Sequence, residues 1–363
     1  MQSIDLVVSH KIKKTARVMQ VTGMMDYESD ITEHHIKIPN VDIDFDWNIG
    51  LIVGASGSGK TTIAKNVFKD EFYEAEWGDK ALVDEFPKGH TIKEITAALT
   101  KVGLGTVPAW LRPYHTLSNG EKFRADIALA LMTEQKTICI DEFTSVVDRT
   151  VAQIASNSIQ KVFRNSDKRL IAVSCHYDII EWLQPDWIIN VQDFTFRRLL
   201  RQARPEIEIE IRHVDKQVWE GLKHHHYMNH KLHVAARCFA AYHGDRLVGF
   251  TSYLHFPHPK AKNIKMGHRT VVIPDYQGLG LGVMMDNALG EYLKGQKMRY
   301  VNNTAHPAMI KSYQNSPLWI TKRFGQLPRN RSKSTIIKSS KSRAHRMMLD
   351  SRLTASFEYI GEK

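Results

Sequence analysis

Residues 49–68 read IGLIVGASGSGKTTIAKNVF, and they leave little choice of local structure. Ile49–Val53 is a short apolar run, the pattern of a strand buried on both faces. Ile63, Ala64 and Val67 then recur at helical spacing. Between them, residues 54–61 match G-x-x-x-x-G-K-[ST]. Gly54, Gly57 and Gly59, with Ser56 among them, let successive backbone N–H groups turn inward around an anion, where the helix start adds positive potential. Lys60 then reaches the β- and γ-phosphates of a nucleotide, Thr61 offers its hydroxyl to Mg2+, and Thr62 completes the cradle. A strand, a glycine-rich loop and a helix in this order belong to the α/β fold class.

Composition bounds the rest. The length of 363 residues suits two domains with a sizeable core in each. A content of 42% hydrophobic and 25% charged residues is that of a globular chain rather than a disordered one. The longest apolar runs, LIVGA and TICI, fall far short of the roughly 20 residues a membrane-spanning helix needs, so no membrane partner is expected. The N-terminal MQSIDLVVSHKIKK has too short an apolar core for a secretory signal. Cys139, Cys175 and Cys238 lie in apolar, strand-like runs without metal-ligand spacing, which reads as reduced core thiols and a cytoplasmic location. The formal net charge is +11, and residues 322–346 hold nine Lys or Arg with no Asp or Glu. A solvated tail would account for such a run. Nucleic acid is the sharper expectation, because clustered cations gain affinity by releasing condensed counterions.

Three further motifs follow the first in a fixed order. LSNGE at 117–121 is a capping box, Ser118 with Glu121, ahead of a helical face of Phe123, Ile127, Ala130 and Leu131. KTICIDEFTSVVD at 136–148 is a buried strand ending in two acids, with Asp148 closing the run. LIAVSC is another apolar strand, and His176 follows it directly. In this order the motifs resemble those of ABC-class ATPases, over residues 1 to about 200. The resemblance implies ATP and Mg2+ as ligands, with Asp141 in the metal shell, Glu142 polarising the attacking water and His176 at the γ-phosphate. It makes Ser118 and Gly120 the signature residues, with Asp148 in the D-loop. Signature residues act on nucleotide held by the opposite subunit, so a head-to-tail homodimer is implied. VDEFP at 83–87 stands where the family has its Q-loop, which puts Glu85 at the glutamine position and near Mg2+. No aromatic stands out to stack on adenine; Trp47 and Tyr27 are the candidates, each reading better as a core residue. Lys60 and Ser118 are 58 positions apart, a shorter insert than transporter ATPases carry, which points to the soluble members of the class.

The pattern restarts near residue 204. EIEIEIR at 206–212 alternates as a half-exposed strand. A helix is expected at 214–223 and strands at 235–242 and 247–254, joined at His243-Gly244-Asp245. In HRTVVIPDYQGLGLGVMMDNALGEYL a strand ends at Pro274 and a helix begins at Val283. Between them, Gln277, Gly278, Gly280 and Gly282 form a Q-x-x-G-x-G-type loop that offers backbone N–H groups to a pyrophosphate. The segment resembles the acyl-CoA loop of GNAT acyltransferases. YVNNTAHPAMIKSYQNSPLW then resembles that family's N-x-x-A-x-x-x-Y stretch, with His306 at the Asn position and Tyr313 as the acid that protonates the departing thiolate. The resemblance implies acetyl-CoA or another acyl-CoA as donor and N–H groups near Ile273 and Tyr276 as oxyanion donors. His268 or His306 is the candidate base. The patch KHHHYMNHKLH at 223–233 reads as an acceptor-side loop rather than a metal site.

Nearly the whole chain resembles phage and prokaryotic ATPase–acetyltransferase fusions, with an acyltransferase half similar to the Mom-type proteins that modify phage DNA. The expected organisation is an ABC-type ATPase domain at 1–204, a GNAT-like α/β domain at 205–330 and a basic extension at 331–363. The expected activity is acylation of an amine on nucleic acid. Two alternatives stand beside it: an ATP-gated DNA clamp with a non-catalytic acyltransferase fold, and an acyltransferase for protein or small-molecule amines.

Overall fold

Ile49–Val53 is buried along its whole length, as a strand without one polar side chain must be. The computed structural model describes residues 2–27, 31–200, 206–226, 231–259, 261, 263–328 and 351–362. The chain forms two units interleaved along the sequence: Met1–Trp77 with Leu129–Pro205, and Gly78–Ala128 with Glu206–Lys363.

In the first unit, β1 (Gln2–Lys11) and β2 (Ile31–Val41) pair antiparallel, with α1 (Ala16–Met24) between them. β3 (Ile49–Val53) leads into α2 (Lys60–Val67). After the insertion come β4 (Thr137–Ile140), α6 (Arg149–Arg164), β5 (Arg169–Ser174), α7 (Ile179–Leu183), β6 (Trp187–Asn190) and β7 (Thr195–Arg198). The five-stranded sheet runs β4-β5-β3-β6-β7. Its first four strands are parallel, and β7 returns antiparallel on β6. Trp47, Phe68 and Trp187 cluster in its core with Ile36 and Ile38 from β2. Arg164 reaches Asp186 at 2.9 Å, and Asp186 accepts from the N–H groups of Asn48 and Ile49, so one carboxylate ties α6 to the start of β3.

The second unit takes α3 (Ile92–Lys101), α4 (Val107–Trp110) and most of α5 (Asn119–Leu131) from the insertion. It continues with β8 (Glu210–Val214), α8 (Val218–Leu222), β9 (Arg237–His243), β10 (Arg246–His255), β11 (Ile264–Val272), α9 (Leu281–Gly295), β12 (Arg299–Thr304), α10 (Pro307–Asn315), β13 (Trp319–Pro328) and β14 (Ser351–Tyr359). The seven-stranded sheet runs β13-β14-β12-β11-β10-β9-β8. β8 starts later than the alternation suggests, because Glu210 already pairs with Tyr242 and β9 turns away after His243. The helix expected from 214 begins only at Val218: Val214 still pairs with Cys238, and Asp215 caps the turn at Gln217.

The C-terminal residues correct the expected organisation. A basic extension from 331 was the reading of the sequence, yet Ser351–Tyr359 is a strand inside the sheet, paired with β12 on one side and β13 on the other. Glu358 on it binds Arg299 of β12 at 2.7 Å and Lys322 of β13 at 2.8 Å. Lys322, the first cation of the basic run, is therefore part of the sheet. Residues 329–350 lie outside the described residues. Phe357 is fully buried in the core formed by Leu293, Tyr313 and Trp319. Phe357→Ala should cost about 3–5 kcal/mol, the range for losing a buried aromatic. Urea unfolding of the full chain measures it, and a cost near zero would mean that this segment is no part of the core.

Candidate active sites

Parallel pairing brings the first unit's motifs to one sheet edge. Val53 lies beside Ser174, and Ile140 beside Ala172, so the glycine-rich loop, Asp141 and His176 all follow strands that end together. Such an edge is where open α/β sheets bind ligands. Gly57 and Gly59 take left-handed φ values of 79° and 96°, which L-residues with a Cβ disfavour. A Cβ on Gly57 would meet nothing within 4 Å, so the loop is open where phosphates would approach. Lys60 lies buried with its Nζ 2.7 Å from the carbonyl of Ala55. Thr61 and Thr62 are half-buried in the first turn of α2, while Ser56 is exposed on the loop and Gly54 is buried beneath it. These residues fit a nucleotide's phosphates.

Asp141 Oδ1 accepts from the N–H of Glu142 at 2.9 Å. Glu142 and Thr144 both adopt left-handed backbone, at φ 51° and 64°, a conformation that costs a non-glycine residue roughly 1–2 kcal/mol. The N–H of Phe143 donates to Val173 at 2.8 Å and holds the turn against β5. Strain of this kind gathers where a side chain must be aimed. His176 donates its backbone N–H to Ser174 Oγ at 3.2 Å. Asp148 caps α6 through the N–H of Thr150 at 2.9 Å.

Ser118, Gly120 and Glu85 belong to the second unit. The capping box is formed: Ser118 N–H donates to Glu121 at 2.9 Å, and Glu121 N–H to Ser118 Oγ at 3.3 Å. Glu85 departs from its expected role at Mg2+. Its carboxylate accepts from the N–H of Lys80 at 2.8 Å and closes its own loop. Trp47 is a core residue, stacked edge-on against Trp187, and Tyr27 is exposed.

The second unit's site is a split in its sheet. β11 and β12 pair only from Ile264↔Arg299 to Met266↔Val301. Beyond that, β11 stays with β10 and β12 with β14, so the two strands part. A cavity of about 240 Å³ opens between them, lined by residues 267–272 on one side and 302–304 on the other. Gln277, Gly278, Gly280 and Gly282 line its end. Gly280 caps α9 at φ 81°, and a Cβ there would meet nothing, leaving the helix start open to an anion.

His268 and His306 both line the cavity, as do His225 and His226 from the histidine-rich patch. Burial, with Arg269 and His233 nearby, pushes the His268 imidazole down to about 4. Its Nε2 accepts from the N–H of His233 at 3.3 Å. Burial also lowers His306, whose Nε2 lies 3.2 Å from the carbonyl of Gly105. A carbonyl only accepts, so the proton sits on Nε2 and Nδ1 is the basic nitrogen.

Two expected participants are placed elsewhere. Tyr313 is fully buried outside the cavity lining, with its hydroxyl bonded to Asp286 and 2.9 Å from Asn302. Burial and the Asp286 carboxylate raise that phenol well above its ordinary value, so it is no acid facing the donor. Ile273 N–H donates to Val248 at 3.1 Å and Tyr276 N–H to Ile273 at 3.0 Å, so both proposed oxyanion donors are engaged. Asp286 escaped the sequence reading. Its one signal was an acid sharing a helical face with Leu289 and Leu293.

The profile of the Acetyltransferase (GNAT) family matches residues 177–314. The match begins inside the first unit, where β6 and β7 pair with the nucleotide-binding sheet. The chain is 26% identical over 196 residues to the energy-coupling factor transporter ATP-binding protein EcfA1 of Leuconostoc mesenteroides, covering 42% of this chain and 70% of that protein. Among solved structures it is similar to CbiO1 of Clostridium perfringens, part of the ABC transporter complex CbiONQ (16% identity, 45% of this chain and 80% of that one, TM-score 0.37). It is also similar to the dimeric bacterial ABC transporter cassette MJ0796 (16% identity, 46% and 90%, TM-score 0.35). The family match gives the chain a GNAT acetyltransferase domain over 177–314, and elsewhere the chain is similar to an ABC transporter ATP-binding protein.

Proposed function

We propose that the chain is an ATP-dependent N-acyltransferase acting on an amine of nucleic acid. The observation that carries this reading is the cavity between the parted β11 and β12, which ends at the open, glycine-capped start of α9. The pantetheine arm of acetyl-CoA or another acyl-CoA would lie in the split, with its pyrophosphate on the N–H groups of 278–282. The acceptor amine would attack the thioester carbonyl; as the amide forms, the carbon–sulfur bond would break and coenzyme A leave as its thiolate, which takes up the proton removed from the nitrogen. His306, whose Nε2 is tied to the Gly105 carbonyl, is the candidate to take the proton from the attacking nitrogen. Mg2+ with ATP would supply phosphate charge neutralisation at Thr61 and Asp141, while Glu142 orients water and His176 senses the γ-phosphate. Ser118 and Gly120 would then meet the nucleotide of a second copy.

His306→Ala should lower kcat by about 10²–10⁴, the usual worth of a general base, with little change in the KM for acetyl-CoA. Because burial lowers this imidazole from its ordinary value, the base form predominates at neutral pH. The rate should therefore be flat from pH 7 to 8 and fall only below the ordinary histidine range. A clamp with a non-catalytic fold is favoured by the engaged N–H groups of Ile273 and Tyr276. It would give no product in this assay.

Glu142→Gln should bind MgATP, lose turnover by orders of magnitude and accumulate as a dimer by light scattering; Ser118→Arg should block that dimer. A Glu142→Gln protein that stays monomeric in saturating MgATP rules out the head-to-tail sandwich.

The nucleic-acid reading rests on the net charge of +11 and the cations of 322–346. Each phosphate neutralised on B-DNA contributes a slope of roughly −0.9 in log affinity against log salt. Replacing Arg329, Arg331 and Lys333 with Gln should flatten that slope by up to about 2.7 and weaken all sequences alike. An unchanged slope would direct the search for the acceptor to proteins or small amines.

A further inference from the structure

One wall of the acyl cavity is built from the ATPase insertion. Thr100, Gly105, Thr106 and Val107 line it beside His306 and Gln277. Gln277, expected to face the donor's phosphates, turns its side chain to this segment: Oε1 accepts from Gly105 N–H at 2.8 Å, and Nε2 donates to Thr106 Oγ1 at 2.7 Å and to the carbonyl of Val272 at 3.0 Å. The approach is tight enough that a Cβ on Gly103 would stand 2.6 Å from the carbonyl oxygen of Gln277. A second tie comes from α5. Arg124, fully buried, donates to the main-chain carbonyl of Asp275 at 3.0 Å, while Arg246 holds the Asp275 carboxylate. Arg124 stands one turn beyond Gly120 on the same helix. The turn that opens the acyl loop is thus fastened to the helix that carries the signature residues.

We infer that Thr106, Gln277 and Arg124 are positioning residues that make acyl-donor affinity depend on nucleotide engagement of the signature segment. The inference rests on the proposed reading that Ser118 and Gly120 contact ATP held by a second copy. A hydrogen-bonded helix moves as a body, so a displacement of its first turn reaches Arg124 undiminished. The bonds at Asp275 and Gln277 are half-buried and directional, and they weaken steeply with misalignment. Engagement of the signature therefore shifts the 274–282 loop and the Gly105 carbonyl that sets the His306 tautomer. By linkage the effect is reciprocal: acyl-CoA must change nucleotide affinity by the same factor.

Calorimetric titration of the full-length protein with acetyl-CoA, with and without a non-hydrolysable MgATP analogue, tests this. The acetyl-CoA Kd should change about fivefold or more, the lower range for coupled sites, and the analogue's Kd should change equally when acetyl-CoA is present. Thr106→Val, which keeps the shape and removes the acceptor for Gln277, should bring that factor toward one while both ligands still bind. Arg124→Lys should do so through the other tie. An acetyl-CoA Kd indifferent to the analogue, with both ligands bound, overturns the coupling and leaves the acyltransferase reading intact. Failure of acetyl-CoA to bind in either condition overturns both.

Discussion

Asp286 lies without exposure at the centre of the second unit, where its two oxygens accept from Thr251 on β10, Thr270 on β11, Tyr300 and Asn302 on β12, and Tyr313 on α10. A buried carboxylate without a cation costs several kcal/mol in lost hydration. Five donors offset much of that, and all must be in register for the offset to hold. Desolvation still prevails, raising the carboxyl to about 6. Between its ordinary value and about 6 the folded chain binds the extra proton, so the contribution of this group to stability declines as pH rises through that window. At neutral pH it is an anion that fixes three strands and two helices at one point. Two of its donors, Thr270 and Asn302, also face the cavity from opposite sides of the split.

That fixed point explains why the sheet can open without falling apart. Where β11 and β12 lose their mutual hydrogen bonds, each keeps its other neighbour, and Asp286 spans the gap from below. On its other edge β12 stays paired with β14 from Tyr300 to Thr304. The opening is thus a consequence of which strands pair, and the cavity inherits its shape from the backbone. His225, His268 and His306 at its rim owe their lowered basicity first to burial.

Local patterns in the sequence were enough for the features that local chemistry determines. The bounds of β3 and the start of α2 follow from apolar run, glycines and Lys60, and the capping box at Ser118 and Glu121 is formed as written. The 277–282 loop ends in a helix because glycine permits the left-handed turn there. What escaped depends on distant partners. Nothing within 351–359 says that it will slot between β12 and β13, since a strand's neighbours are chosen by tertiary pairing. Tyr313 has the right spacing for an acid, yet its hydroxyl is claimed by Asp286 from another helix. Glu85 sits where a glutamine would stand, but a backbone N–H five residues earlier takes its carboxylate. The alliance of 78–128 with the acyl unit is not written in either segment alone.

The interleaving of the two units has a consequence for how the chain is made. Synthesis releases the residues of the first unit by Pro205, so its parallel sheet can close while the ribosome is still reading. The second unit has no such option: its earliest residues emerge at Gly78 and its β14 only at Ser351–Tyr359. Residues 100–124 lack their partners until Asp275, Gln277 and His306 emerge, and β12 has an unfilled edge until Ser351–Tyr359 arrives. An edge of that kind readily recruits strands from other chains. A message cut short before codon 351 would therefore leave the segments of the nucleotide-binding sheet complete beside an acyl unit that cannot close, and its product would be prone to aggregate rather than act as a free ATPase.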